Sequence, residues 1–521
     1  MKIAMSMQNL RKLVQVSFFL LFIFLFLNAR YPYEITMGSD FGLRLSPLIP
    51  VFTFIDTLSF PPLIIPGLII LLLTPFLGRF FCSWVCPLGT CLDATDKIIK
   101  TPKNRDATRW DKWRYLKFAN LIALLVLAVF SINLWGYLDP LSIFNRMLTV
   151  ILYPMATLFT ENLLLKLSEI SFLETPAYYL FDLFKNNVMP EGQAHYQQVL
   201  LIALFSGGIL AAEKLSRRFW CRYVCPAGAL LGFLSQYRFY ERLVGEECPA
   251  CNLCISECKM DAIPQDNVSQ TNKVECIECF NCGAACPPKT KAITYRWRWK
   301  PYHTEVDLSR RQVLTSVAAG IGGLGLLSIG LPNRNQERHM IRPPGSLAEA
   351  DFQEKCIRCL ECVRICESNG GCLQPDAIHT SLTQLWLPAA QMRTGYCEYN
   401  CHLCTEICPT DAIKPITLEE KKTWVMGEAY FREDLCIPFA RNEDCIVCEE
   451  HCPTPDKAIK FEIKDVELAD GGSRQLKYPY VIPELCIGCG ICEFKCPLVG
   501  EAGIFVTKPI EVADEGAYYS G

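Results

Sequence analysis

Apolar positions are not spread evenly along this chain. Five runs, 13–29, 57–78, 118–138, 196–212 and 312–333, contain no Asp, Glu, Lys or Arg. Each meets or approaches the about 20 residues that a helix needs to cross a bilayer. The shortest are 13–29 and 196–212. A sixth uncharged run, 147–160, lies between Arg146 and Glu161; it is too short to span and reads as an interfacial or re-entrant helix. Buried helices of a soluble core would show the same apolar runs, but the charges flanking these runs argue for membrane spans. The pattern therefore predicts an α-helical membrane domain over residues 1–240, and a fifth span within 305–333.

Charge gives these spans a direction. Segment 79–117 carries nine Lys or Arg and segment 213–311 carries fifteen, whereas segment 30–56 has only Arg30 and Arg44, and segment 139–191 only Arg146, Lys166 and Lys185. Basic loops stay on the cytoplasmic side. The N-terminus, with Lys2, Arg11 and Lys12, is then cytoplasmic, and four spans bring the chain back to the cytoplasm near Glu213. Residues 1–29 have no small-residue cleavage site after the apolar run and read as an anchor rather than a cleaved signal. Ser309-Arg310-Arg311-Gln312 precedes a Gly- and Ala-rich apolar stretch, which reads as a twin-arginine export signal in mid-chain; a stop-anchor flanked by two arginines is the simpler reading. Either one places residues 334–521 outside. The net charge of −3 gives no sign of nucleic-acid binding.

Thirty cysteines change the picture most. A disulfide framework belongs to small secreted chains without a strict repeat, and here Cys-x-x-Cys-x-x-Cys recurs. Residues 241–304 hold two runs, Cys248, Cys251, Cys254, Cys258 and Cys276, Cys279, Cys282, Cys286. Residues 334–521 hold four: Cys356, Cys359, Cys362, Cys366; Cys397, Cys401, Cys404, Cys408; Cys436, Cys445, Cys448, Cys452; and Cys486, Cys489, Cys492, Cys496. Three thiolates from one tight loop hold three corners of a [4Fe–4S] cubane, and the fourth cysteine of the run serves the neighbouring cluster. Zinc would favour separated Cys-x-x-Cys pairs. The runs predict six [4Fe–4S] clusters in two α+β bacterial-ferredoxin-like domains. In the first, crossing assigns Cys286 to the loop of Cys248, and Cys258 to the loop of Cys276. In the second, runs two and three depart from ideal spacing. The four runs resemble the four-cluster subunits of molybdoenzyme and nitrate-reductase systems. That resemblance implies nested pairs: Cys366 with the fourth run and Cys496 with the first, Cys408 with the third and Cys452 with the second. The long third run leaves Cys436 the weakest ligand. Cys91 and Cys372 are spare and read as small buried apolar residues.

A further motif is duplicated. Arg79-Phe80-Phe81-Cys82-Ser83-Trp84-Val85-Cys86-Pro87-Leu88-Gly89 recurs as Arg218-Phe219-Trp220-Cys221-Arg222-Tyr223-Val224-Cys225-Pro226-Ala227-Gly228. Each copy closes a predicted span at its cytoplasmic end, so the membrane domain reads as a doubled two-helix unit. Cys82, Cys86, Cys221 and Cys225 form a candidate further site, open between cluster ligation, thiol redox chemistry and packing. Gly320-x-Gly322-x-x-Gly325 matches a dinucleotide fingerprint in letters only, because no strand precedes it. Of the six histidines, His195, His303, His339, His379, His402 and His451, none lies in a predicted span, so no transmembrane haem is expected.

With these motifs in view, residues 1–300 resemble the NapH/MauN family of membrane ferredoxins. Residues 305–521, with the twin arginine, Arg342-Pro343-Pro344-Gly345 and Cys356-Ile357-Arg358-Cys359, resemble the NapG/MauM family. The chain as a whole resembles a fusion of the two. The resemblance implies a quinol dehydrogenase component in a bacterial cytoplasmic membrane. It would draw on the quinone pool and pass electrons to a periplasmic reductase or cytochrome, or to other subunits of a respiratory complex. Two other functions fit the same residues: electron entry from a cytoplasmic donor, and reductive maturation of a periplasmic metalloenzyme.

Overall fold

The computed structural model describes residues 2–31, 38–99, 112–170, 172–187, 189, 196–287, 292–299, 302–306, 308–328, 340–375, 383–467 and 473–509. The basic residues of 100–111, the end of the fifth apolar run at 329–333, and His195, His339 and His379 lie outside the described residues.

A helical bundle forms the middle of the molecule. Its elements are α1 (Lys2–Asn28), α2 (Ile65–Leu77), α3 (Pro87–Ile99), α4 (Leu116–Val129), α5 (Pro140–Met147), α6 (Tyr153–Ser168), α7 (Val199–Ala211), α8 (Pro226–Ser235) and α9 (Arg310–Ser328). Two helices are long and apolar enough to cross a membrane by length and composition: Met7–Asn28, and the continuous helix Pro140–Ser168 that joins α5 to α6. The second corrects the reading of 147–160 as a short separate helix. Pro140 sits in the first turn, where its missing N–H costs nothing, and the Asp139 carboxylate caps the Ser142 N–H at 2.8 Å. A π-helical stretch, Leu148–Leu152, then carries the helix onward.

Three other runs are shorter as helices than as apolar sequence. Run 57–78 is interrupted: a helix ends at Thr57, Leu58 turns left-handed, and the chain restarts at Pro61-Pro62, because proline cannot donate the N–H that would continue the ladder. Run 118–138 is helical only to Val129, and run 196–212 only from Val199 to Ala211. At 1.5 Å per residue α4 is about 21 Å long and α7 about 20 Å, against about 30 Å of bilayer hydrocarbon. The fifth run packs along α4. A side chain at Gly320 would lie 3.0 Å from Val126, so this glycine serves close helix approach, and the dinucleotide reading finds no support.

The two cysteine-rich units sit at opposite ends of the bundle. Residues near the N-terminus of α1 reach the first unit, Gln8 donating to Asn281 at 3.1 Å. Just past its C-terminus, Tyr31 N–H donates to Ser368 of the second unit at 2.9 Å. Helix α4 repeats the pattern. Lys117 binds Glu275 of the first unit at 2.6 Å, and beyond the other end Asn133 donates to the carbonyls of Glu354 and Cys356. The first unit carries one antiparallel pair, β1 (Tyr240–Val244) with β2 (Ile293–Trp297). The second carries three: β3 (Leu373–Pro375) with β4 (Pro388–Ala390), β5 (Glu428–Phe431) with β8 (Ile504–Thr507), and β6 (Ile459–Glu467) with β7 (Ser473–Val481). Short helices follow the cysteine loops.

Candidate iron–sulfur sites

The backbone of each regular cysteine run is unusual in the same way. The residues on either side of the second cysteine are left-handed: Ala250 and Asn252, Glu278 and Phe280, Arg358 and Leu360, Gly488 and Gly490. Most L-residues avoid this region, and alternating hand curls the chain into a concave nest of N–H groups. The Arg358 and Gly488 N–H groups hydrogen-bond back to Cys356 and Cys486. Runs two and three, with their longer spacing, do not share the feature: His402 and Ile446 keep negative φ.

Where the thiols gather can be read from the cavities they ring. Cys248, Cys251, Cys254 and Cys286 line one cavity of the first unit; Cys258, Cys276, Cys279 and Cys282 line the other. This is the crossed arrangement expected. The second unit departs from expectation. Cys486, Cys489 and Cys492 line a cavity with Cys452, and Cys436 interacts with Cys445 and Cys496. Cys356, Cys359 and Cys362 face Cys408, and Cys397, Cys401 and Cys404 face Cys366. Neighbouring runs therefore pair, first with second and third with fourth, and the nested assignment of Cys366, Cys408, Cys452 and Cys496 is corrected. The reason is local: the helix after each run packs on that of its neighbour, Glu361–Glu367 on Leu403–Glu406 and Val447–Glu450 on Ile491–Lys495. The chain closes a short loop rather than a long one. Cys436, the ligand weakest in sequence, packs closely on Gly503, where an added side chain would lie 2.7 Å from the Cys436 Cα. Spare Cys372 is buried 3.9 Å from Cys366, and Cys91 packs against the bundle core.

These donor sets fit cubane clusters. Each brings four thiols together, and in three of them the thiols ring a cavity. Among the described residues, no group of three or more His, Cys, Asp or Glu is gathered tightly enough for a single metal ion.

The sites also form a file. In the second unit Cys362 interacts with Cys404, the Cys397 N–H donates to the Cys489 carbonyl at 2.9 Å, and Cys492 interacts with Cys448. Starting from the bundle, the order is thus the first-run, second-run, fourth-run and third-run site. At the bundle itself, one buried core contains Cys82, Cys86, Cys221, Cys225, Ile357 and Cys359, with Cys258, Cys276 and Cys279 packed against it.

The duplicated motif occupies the centre of that core. Each arginine reaches across to the other copy. Arg218 donates to the Cys82 carbonyl at 2.8 Å and to the Gly89 carbonyl at 3.2 Å, and Arg79 lies 3.5 Å from the Cys221 carbonyl. The motif also grips the first unit. Ser83 donates to the Ile277 carbonyl at 2.5 Å, Trp84 to Glu278 at 3.1 Å, and Arg79 to Val274 at 2.9 Å. Buried ion pairs surround these contacts: Glu275 with Lys117 and Arg79, and Asp93 with Arg218 and Lys259. Burial alone would raise the Glu275 carboxyl, but the two cations outweigh it and hold it at about 2. Sequence patterns did not signal Lys117, Asp93, Glu275 or Lys259, because single charges at helix ends look like ordinary solvated residues.

On the far side, α5 separates the motif from the second unit. Leu141 and Pro87 line the same apolar recess, while Asn145 donates to the Cys359 carbonyl at 3.0 Å. Helix α5 thus packs on α3, which follows Cys86, and holds the Cys359 loop from its other side. An aromatic file runs beside it: Trp386 packs on Phe205 at 5.5 Å, and Phe205 on Trp220, next to Cys221, at 6.5 Å. Arg310 and Arg311 are exposed at the start of α9, with Ser309 capping Gln312.

Comparison with known proteins agrees with this distribution. The profile of a 4Fe-4S binding domain matches residues 59–105 and again 198–245, once for each copy of the motif, and a second 4Fe-4S binding domain profile matches residues 479–498. The chain is 30% identical to the methylamine utilization ferredoxin-type protein MauM of Methylorubrum extorquens, over 35% of this chain and 81% of that protein. It is likewise 30% identical to the ferredoxin-type protein NapG of Escherichia coli, over 35% of this chain and 78% of that protein. An uncharacterized protein of Methanocaldococcus jannaschii is 25% identical over 57% of this chain and 98% of its own length. No solved structure matches. With thiols gathered in cubane-sized sites and relatives that share this ferredoxin-type sequence, the chain belongs to the ferredoxin-type iron–sulfur electron-transfer proteins represented by MauM and NapG.

Proposed function

We propose that this protein is a membrane-embedded electron conduit that oxidises quinol and passes electrons, one at a time, through the second unit to a periplasmic redox partner. In this reading it is a fusion of a NapH/MauN-like membrane part with a NapG/MauM-like exported part. Twenty-four cysteines hold six [4Fe–4S] clusters. The bundle spans the bacterial cytoplasmic membrane, with the first unit inside and the second, exported through the Arg310-Arg311 signal, outside.

The observation that carries the reading is the file of sites. Two sites lie in the first unit and four in the second; the bundle core reaches Cys276 at one end and Cys359 at the other, and a second core holds thiols of the remaining sites. The clusters supply one-electron chemistry when bound. What the chain contributes is spacing, burial and exclusion of water. A donor of two electrons and two protons suits such a file, because the second electron can follow once the first has moved on. We place the approach of a lipid-soluble donor at a small apolar recess between α1, α5 and the turn at Cys86-Pro87. It is lined by Phe18, Phe22, Leu45, Val85, Pro87 and Leu141, next to the motif thiols.

The test is anaerobic mixing of the purified full chain with a short-chain quinol, while cluster absorbance is followed. Reduction by quinol is expected. Leu45→Trp, which narrows the recess, should slow that reduction and leave reduction by dithionite unchanged. A protein that quinol does not reduce, but that a soluble low-potential ferredoxin does, would replace this reading with electron entry from the cytoplasm. Cys251, exposed at the outer end of the first unit, is the feature that favours this second reading.

A further inference from the structure

Beyond the six ferredoxin-type sites, we infer that Cys82, Cys86, Cys221 and Cys225 together hold a seventh [4Fe–4S] cluster, shared between the two copies of the motif, that joins the two units electrically. Neither copy has enough thiols alone, and the fold supplies two from each. All four are buried in one core, and Arg218 and Arg79 tie each copy to the other at the Cys82 and Cys221 carbonyls.

Charge points to the same occupant. Arg11, Arg79, Lys117, Arg218 and Lys259 form one buried or nearly buried network around Asp93 and Glu275. Glu213 adds a third acid, already engaged by the N–H groups of Arg218 and Phe219. Arg218 and Arg79 are fully buried and each reaches a carbonyl of the other copy, so an oxidised [4Fe–4S] core on four thiolates, with its two negative charges, would sit beside two buried cations. Two helix N-termini add to the positive field: α3 and α8 each begin at the proline that follows a motif cysteine, and Gly228 N–H donates to Cys225 Sγ at 3.3 Å. Glycine is needed where the copies meet. A side chain at Gly89 would lie 2.6 Å from the Cys82 carbonyl, and one at Gly228 2.8 Å from Arg79.

Position completes the argument. The motif touches the loop of the Cys276 site through Ser83 and reaches the Cys359 loop through α5, so a redox centre here closes the gap between the two sets. Assembly forms four iron–thiolate bonds and releases four protons. In turnover the site accepts one electron from a reduced neighbour and gives one to an oxidised neighbour, with no bond made or broken.

Iron and acid-labile sulfide, counted on anaerobically purified full chain, test this. The expected content exceeds that of six clusters by one cluster, about four Fe and four sulfide per chain. Cys82→Ser with Cys221→Ser should remove that increment alone and abolish transfer between the units, leaving the paramagnetic signals of both ferredoxin-type sets. Should the double variant fail to fold, Arg218→Lys in otherwise wild-type protein should keep the iron content and shift the midpoint potential of one centre only. Iron equal to six clusters, stoichiometric zinc, or four motif thiols that alkylate freely or appear as disulfides in the native protein would each overturn the inference.

Discussion

Gly136 packs directly against the backbone of the second unit at Ile357, and replacing it with alanine tests whether that contact sets the distance between the two halves. A methyl group there would lie 2.4 Å from the Ile357 carbonyl oxygen and 2.7 Å from its Cα. Ordinary contact begins near 3.4 Å, so one backbone must retreat by about 1 Å. Both sides are backbone, and neither can rotate away. Overpacking of this kind costs about 1–3 kcal/mol, which lowers the population of the docked geometry about 5- to 150-fold. Ile357 follows Cys356, so the retreat moves the first-run site directly. Gly136→Ala should slow electron transfer between the units, read by rapid mixing and freeze-quench paramagnetic resonance, and should speed hydrogen exchange in residues 354–361. Gly207→Ala is the control. Nothing lies within 4 Å of a side chain at Gly207, and alanine favours the helix by about 1 kcal/mol. If the two variants behave alike, Gly136 is not the spacer described here.

Other outcomes follow from the same geometry. Glu275→Gln leaves Lys117 and Arg79 buried without their carboxylate and should cost about 3–5 kcal/mol, seen as earlier thermal bleaching of the first unit's clusters. In the second unit Arg342 holds Glu349 with two bonds, of 3.0 and 2.7 Å. Burial raises the Glu349 carboxyl, but the arginine outweighs it and keeps it below its ordinary 4.5. This stabilisation is present above that value and is lost as pH falls through the lowered one. The stability gap between wild type and Arg342→Ala should therefore close in acid, measured by urea unfolding at a series of pH values. Replacing both Arg310 and Arg311 by lysine should leave residues 334–521 inside the cell; normal labelling of that region from outside would refute the export reading.

Much of this was legible in the cysteines and little of it in the apolar runs. Six loops announce themselves because a cubane demands closely spaced thiols, and the crossed pairing of Cys258 and Cys286 follows from that spacing alone. The pairing of Cys366 with the Cys397 loop did not follow, since four runs allow several closures, and packing between short helices decides among them. The apolar runs overstate helix length. Leu58, Pro61 and Ser131 break what hydropathy reads as continuous, because hydropathy registers the side chain and not the backbone turn. Residues 140–147 were missed as part of a long helix for the opposite reason: Asn145 and Arg146 interrupt the apolar run, yet both are buried and contact the second unit.

In the membrane-embedded reading proposed above, the short helices have a consequence for the surrounding lipid. Helix α1 and the continuous helix Pro140–Ser168 are each about 40 Å long, while α4 and α7 are only about half that, so the bundle would offer the bilayer helices of two unequal heights around its waist. In a bilayer such a shape draws the two leaflets together around the waist, at a cost of fractions of a kcal/mol for each ångström of mismatch. Thinner membranes would then favour the protein, and thickening the bilayer with longer acyl chains would strain the helices that hold the two halves in register.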